Sequence, residues 1–430
     1  KLLFISQVKT VQSTADKYPD LPKSSGIVVN DLMYKHWDEW TTTAPHPFVA
    51  DIDENGLSNV KDILEGLPYE SPMKPFGGIE QLAWSPEGDK IAFTCRMKTG
   101  LAYAISTDSD IFLYDFATKA TRNLSKEAAS RVDEKFVGYD KYPVFSPDGR
   151  KIAFRSQRRP GNEADQQRLW VYDLDTDECR YITRNHDICA TEVVWDGNEA
   201  MFFVLPWRAT HQIAHIDLEG NLKHITAGDH DINSFTMAGG RIVANMNTIS
   251  KAVELYDVDV NSGALSQITD VNREIYDNIR FGKVEKRWID TTDGKKMLTW
   301  VILPPDFDPT KKYPTLLYCQ GGPQSIVSQF WSYRWNFQLM AAQGYVVVAP
   351  NRRGVPSFGQ EWLDQISGDY SGQNIEDYLA AIDQVSEEPW VDKEHRGCVG
   401  ASYGGYSTYY LAGTHEGRFK AFIAHCGIFN

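Results

Sequence analysis

One phrase of this chain is written twice. Trp84-Ser85-Pro86-Glu87-Gly88-Asp89-Lys90-Ile91-Ala92-Phe93 recurs as Phe145-Ser146-Pro147-Asp148-Gly149-Arg150-Lys151-Ile152-Ala153-Phe154. Weaker copies are Trp195-Asp196-Gly197 leading into Met201-Phe202-Phe203-Val204, and Gly239-Gly240-Arg241-Ile242-Val243. Each copy runs on to a strand with an acidic end, at Tyr114-Asp115, Tyr172-Asp173, Ile216-Asp217 and Tyr256-Asp257. Each then closes on Leu124-Ser125, Ile182-Thr183, Ile225-Thr226 or Ile268-Thr269, pairs spaced 58, 43 and 43 residues apart. A Pro-Asp-Gly turn suits a strand connection, because Pro fixes φ and Gly accepts a positive one. A small antiparallel sheet of about four strands cannot bury its face alone, and a period near 40–50 residues is the signature of a β-propeller. A β-sandwich is the alternative, disfavoured because four copies keep one internal order.

Phe48-Val49-Ala50-Asp51-Ile52-Asp53 reads as the acidic-ended strand of an earlier blade. An insertion containing Tyr34-Lys35-His36-Trp37-Asp38-Glu39-Trp40 precedes it. About five blades are visible where closed propellers usually have more. The chain also opens on Lys1-Leu2-Leu3-Phe4-Ile5, already strand-like and without an initiating Met. We therefore expect an incomplete propeller over residues 1–278, with blades, and any targeting signal, removed from its front.

From about residue 279 to 430 the pattern changes to short apolar strands alternating with helical stretches. Strands are expected at Thr315–Tyr318, Tyr345–Ala349, Cys398-Val399 and Ala421–Ala424, with helices around Trp331–Ala342 and Asn374–Val385 and another after Val399. Such alternation means a mostly parallel α/β sheet.

Within it lies Gly400-Ala401-Ser402-Tyr403-Gly404, a G-x-S-x-G sequence between an apolar strand and a helix. That setting is what a nucleophile elbow requires: the glycines permit a strained turn that presents the serine oxygen at a helix N-terminus. Ser402 is therefore the candidate nucleophile, and the backbone N–H of Tyr403 a candidate oxyanion donor. The second donor is expected in a loop after an earlier strand. Gln320-Gly321-Gly322-Pro323 fits, and we assign the N–H of Gly322.

Composition excludes more than it selects. A net charge of −14 argues against nucleic acid or an anionic membrane as partner. No apolar run approaches the 18 residues of a membrane span. Cysteines 95, 179, 189, 319, 398 and 426 show no metal-ligand spacing, and no metal or cofactor is expected. Cys398 and Cys426 read as reduced core thiols, while a Cys179–Cys189 disulfide stays open.

The order of propeller and α/β-hydrolase, with Gly-Ala-Ser-Tyr-Gly-Gly-Tyr at 400–406, resembles the prolyl oligopeptidase family. The loop at 320–324, Asn351-Arg352-Arg353-Gly354, Gly368-Asp369-Tyr370 with Glu376-Asp377, and Trp390-Val391-Asp392 resemble its acylaminoacyl-peptidase and dipeptidyl-peptidase 5 branch. Many members carry His where this chain has Gln320. The resemblance implies a serine peptidase acting on short peptides, most simply one that releases N-terminal dipeptides, and it suggests a periplasmic parent. Such specificity needs a carboxylate for the substrate ammonium, and Asp38 and Glu39 are candidates, with solvated surface acids as the alternative. Arg352 or Arg353 is a candidate for holding a substrate carbonyl, with a structural ion pair as the alternative. An acylaminoacyl peptidase or oligopeptidase, an esterase, and a non-catalytic propeller interaction module are the competing functions, and a homodimer is left open.

In α/β-hydrolases the acid and then the histidine follow the serine. Only His415 and His425 follow Ser402, and neither lies beyond two further strands. The chain is thus expected to stop before its catalytic Asp and His. Without a base a serine hydroxyl is a weak nucleophile. We expect no burst acylation of these 430 residues by a serine-directed fluorophosphonate, and a clear burst would refute that expectation.

Overall fold

A computed structural model describes residues 1–74 and 77–429. They form two compact units: residues 1–186 with 195–201 and 216–221, and residues 187–194 and 202–215 with the described chain from 222 onward.

In the first unit, strands Leu2–Lys9, Thr43–Asp53 and Gly56–Asp62 make a three-stranded antiparallel sheet. Two four-stranded antiparallel sheets follow. One comprises Leu82–Trp84, Lys90–Cys95, Asp110–Asp115 and Thr121–Asn123; the other comprises Asp140–Phe145, Lys151–Ser156, Arg168–Asp173 and Cys179–Tyr181. Side chains alternate across a strand, and the packing follows that alternation. Ile91, Phe93, Phe112 and Tyr114 join a core with Val49 and Leu64 of the preceding segment. Their neighbours Ala92, Ile111 and Leu113 join a core with Ile152, Phe154 and Trp170 of the next sheet. The sheet of residues 82–123 is therefore apolar on both faces, as the repeat leads one to expect.

The repeated turn and the repeated closing pair both do structural work. In the turns Gly88 and Gly149 take φ of 68° and 71°. The preceding Ser85 and Ser146 accept the N–H of Lys90 and Lys151 at 2.9 Å each. At the closing pairs the hydroxyl replaces a ladder partner. Ser125, Thr183, Thr226 and Thr269 accept the backbone N–H of Ile111, Leu169, Ile213 and Leu255 at 3.0, 3.1, 2.9 and 2.9 Å. A buried N–H must find a partner, so the hydroxyl recurs where each third strand begins.

The second unit contains the antiparallel run Asp231–Ala238, Arg241–Asn247, Glu254–Val258 and Leu265–Gln267. It also holds a mixed six-stranded sheet. Its strands are β1 (Val284–Asp290), β2 (Lys296–Ile302), β3 (Tyr313–Cys319), β4 (Val346–Pro350), β5 (Val391–Ala401) and β6 (Ala421–His425), in the order β1-β2-β4-β3-β5-β6. The pairs β4/β3, β3/β5 and β5/β6 are parallel, while β1/β2 and β2/β4 are antiparallel. Helix α1 (Phe337–Ala342) covers one face with Leu298, Trp300, Val347 and Ala349. A longer helix, Gln373–Val385, covers the other with Val301, Leu317, Val346 and Val348.

Two expectations need correction. The stretch 331–335 is not helical: Ser332 Oγ accepts the N–H of Arg334 and Trp335 at 3.1 and 3.0 Å, and Asn336 caps the helix only from Phe337. Cys426 is an exposed thiol just past β6, not a core residue, whereas Cys398 is buried. No disulfide joins Cys179 to Cys189.

The closing hydroxyls generate a prediction. Thr183 is fully buried, so Thr183→Val leaves the Leu169 N–H without a partner at nearly unchanged volume. We expect a loss of about 1–3 kcal/mol in denaturant unfolding.

Candidate active site

Strand β5 ends at Ala401 and α2 (Tyr403–Thr414) begins two residues later. Ser402, in that gap, takes φ 57° and ψ −122°. This is a strained conformation for a residue with a Cβ. It is tied down at both ends: Ser402 N–H donates to His425 O at 2.9 Å, and Ser402 O accepts the Tyr406 N–H at 3.0 Å.

The glycines of the motif are required by contact. A Cβ on Gly404 would stand 2.0 Å from the Cys319 carbonyl oxygen, and one on Gly400 would stand 2.3 Å from Gly404 O. The elbow therefore presses its backbone directly against the end of β3. The chain that continues from β3 meets it again, since a Cβ on Gly321 would lie 3.6 Å from Ser402 Cβ. The structure thus brings Ser402, Tyr403 and the Gly321-Gly322 loop together. Gly322 itself has φ 117°, a backbone conformation open to glycine.

Beneath these groups lie residues whose importance the motif alone does not reveal. The Tyr403 side chain is buried, donates to Tyr370 O at 3.0 Å and accepts from the Asn374 amide. Burial pushes its phenol up to about 12. Asn351 pairs with both the N–H and the C=O of Val327 at 2.9 Å, fixing the chain downstream of the loop. Polar Asn374, Asp377 and Tyr378 interrupt the buried face of the helix Gln373–Val385. That interruption is the sequence signal for them.

Arg352 and Arg353 are both buried. Arg353 Nη1 and Nη2 reach Asp293 at 2.8 and 2.7 Å, and its backbone N–H reaches Asp377 at 2.8 Å. The Arg353 guanidinium holds the Asp293 carboxyl well below the usual range, whereas burial raises Asp377. Arg352 binds carbonyl oxygens of the 320–323 loop instead. His415 Nδ1 accepts the Phe419 N–H at 3.1 Å, and the exposed His425 ring lies edge-on to Trp335. Among the described residues no imidazole or carboxylate is hydrogen-bonded to Ser402 Oγ. Asp38 and Glu39 lie in the first unit, on the hairpin of Lys35–His36 and Glu39–Trp40. Both are exposed there, with Glu39 3.4 Å from Lys74, at a cavity of about 280 Å³. Among the described residues no cluster of His, Cys, Asp and Glu could hold a metal, and no helix is long and apolar enough to cross a membrane.

Residues 331–430 match the prolyl oligopeptidase family. Dipeptidyl-peptidase 5 of Porphyromonas gingivalis is 49% identical across 100% of this chain and 62% of its own length. Dipeptidyl-peptidase 5 of Porphyromonas endodontalis is 45% identical, over 100% of this chain and 61% of that protein. The chain thus spans about three-fifths of the length of the curated relatives it matches. Among solved structures, uncomplexed acylaminoacyl peptidase of Pyrococcus horikoshii superposes with a TM-score of 0.77 at 20% identity, covering 99% of this chain and 61% of that one. An acylaminoacyl peptidase in complex with Z-Gly-Gly-Phe-chloromethyl ketone gives 0.76 at 20% identity, with the same coverage. At 20% identity these likenesses concern the fold alone.

The contact at Gly404 sets a prediction. Gly404→Ala cannot be accommodated by a side-chain shift, because the obstacle is backbone. We expect a loss of more than about 3 kcal/mol in unfolding, or failure to accumulate as soluble protein.

Proposed function

We propose that this chain carries the nucleophile of a serine exopeptidase that releases N-terminal dipeptides from short peptides. The observation that carries the reading is the strained backbone of Ser402 at the head of α2, against the glycine loop after β3. A strain of this kind persists only where the surroundings over-determine it, and a binding module has no use for it. In the reaction Ser402 Oγ bonds to the scissile carbonyl carbon and gives its proton to a general base. The N–H groups of Tyr403 and Gly322 take the oxyanion. The amine product then leaves with that proton, and water releases the dipeptide from the acyl-enzyme. The chemistry needs an acid and a base, which we assign to the part of the relatives' length that this chain does not match.

The same reading treats the blades as part of a β-propeller that screens the site from folded proteins, with the boundary of the two domains near 278/279. Gln267 ends the last blade strand and Val284 begins β1. Dipeptidyl release is favoured over removal of acylated residues by the 49% identity to a dipeptidyl-peptidase 5, against 20% to the acylaminoacyl peptidases. Asp38 and Glu39 remain the proposed partners of the substrate ammonium. Both arginines are better read as supports of the site, because their Nη donors are already engaged within the protein.

Fluorogenic dipeptides with free and N-acylated termini, offered to the full-length protein and its Ser402→Ala variant, test the proposal. We expect hydrolysis of the free dipeptides only, reduced by at least about 10³-fold in the variant. Preference for acylated substrates would make the enzyme an acylaminoacyl peptidase, and activity that survives Ser402→Ala would remove Ser402 as nucleophile.

A further inference from the structure

We propose that Arg352 is the positioning residue that holds the oxyanion loop in register with the nucleophile, an inference that rests on the roles given above to Ser402, Tyr403 and Gly322. Its environment is unusual for an arginine. The side chain is fully buried, yet none of its hydrogen-bond partners among the described residues is a carboxylate. Nη1 donates to Pro323 O at 2.9 Å and to Arg353 O at 2.8 Å, Nη2 to Gln320 O at 3.3 Å, and Nε to the Tyr378 hydroxyl at 3.2 Å. Burying a cation without a counter-charge is costly, and its neighbour Arg353 has the usual remedy in Asp293.

What Arg352 gains for that cost is control of the loop. Gln320 O and Pro323 O bracket the two glycines, so one rigid guanidinium pins the peptide units on both sides of Gly321-Gly322. The peptide that carries the Gly322 N–H lies between these two anchored units, so holding both carbonyl oxygens limits how that plane can turn. Glycines have the widest backbone freedom of any residue, and a loop of two would otherwise sample many orientations. The same guanidinium carbon lies 4.9 Å from the Tyr403 ring centroid. It therefore touches the frames of both proposed oxyanion donors. Tyr378 completes the support from the helix Gln373–Val385 and is itself fully buried.

The test uses the full-length protein, with Arg352→Lys and Tyr378→Phe as variants. Readouts are kcat and KM on a free dipeptide substrate, inhibition by a peptide aldehyde, and inhibition by the product dipeptide. The aldehyde forms a tetrahedral adduct with an oxyanion; the product does not. We expect Arg352→Lys to lower kcat roughly 10–100-fold with KM within about twofold. Aldehyde affinity should fall in proportion while product inhibition is unchanged. Tyr378→Phe, which removes one hydroxyl, should show the same split at a few-fold level and decides the matter if Arg352→Lys does not fold. Unchanged kcat in folded variants would overturn the proposal. A raised KM at unchanged kcat would overturn it too, giving Arg352 the role of holding a substrate carbonyl. Loss of the underlying reading looks different, because the wild-type protein itself would then show no Ser402-dependent hydrolysis.

Discussion

The carbonyl oxygen of Cys319 and the backbone of Gly404 occupy adjoining space with no room for a methyl group. That backbone-to-backbone contact joins the end of β3 to the start of α2, and most of the site follows from it. The two strands β3 and β5 are parallel neighbours, with Cys319 opposite Gly400 in register. Both chains therefore leave the sheet at the same level, one into the glycine loop and the other into the elbow. A residue at the top of β5 can turn into a helix this close to its neighbour only if the first turn of that helix presents glycine. Ser402 inherits its strain from this geometry. The hydrogen bond from its N–H to His425 O brings β6 into the same arrangement.

Two adjacent arginines show how the surrounding polar groups are handled. Arg353 sits between two acids: the exposed Asp293, kept ionised by the guanidinium, and Asp377, which is buried beside it. Buried pairs of this kind add little net stability but are costly to break. Arg352 has carbonyl oxygens and aromatic faces instead. A guanidinium suits that task, since its planar fork presents five donors in fixed directions and stacks on aromatic rings. The sequence places both on the turn after β4, and only their surroundings separate a structural pair from a clamp on the loop.

The repeats and the elbow were legible in the residues because both are local rules. A turn glycine, an alternating strand and a closing hydroxyl each follow from backbone needs within about fifteen residues, so their spacing survives in the text of the chain. Ser402 and the Gly321-Gly322 loop stand out as candidates for the same reason, each being a short motif with a fixed place relative to a strand. What was not legible depends on partners distant in sequence. Arg352 and Gln320 lie 32 positions apart, and Tyr403 and Asn374 lie 29 apart. Nothing in either segment alone names the other. Apolar periodicity also misplaced the helix start at Trp331, because it registers burial but not the hydroxyl of Ser332, which offers the backbone another conformation.

The same distinction explains why the two halves of the chain carry different kinds of constraint. In the blades, each hydroxyl and turn glycine satisfies its own strand, and the faces between sheets are filled by interchangeable apolar residues. Loss of one such group is a local cost, and volume-conserving changes are tolerated. Around Ser402 the contacts are backbone on backbone, with hydrogen bonds to specific carbonyl oxygens, so there is no soft side chain to absorb a change. Rigidity is what an oxyanion site requires, since donors that must reorganise during the reaction give up much of their advantage. Around Ser402 the chain therefore sets glycines, and the buried guanidinium of Arg352, where backbone meets backbone.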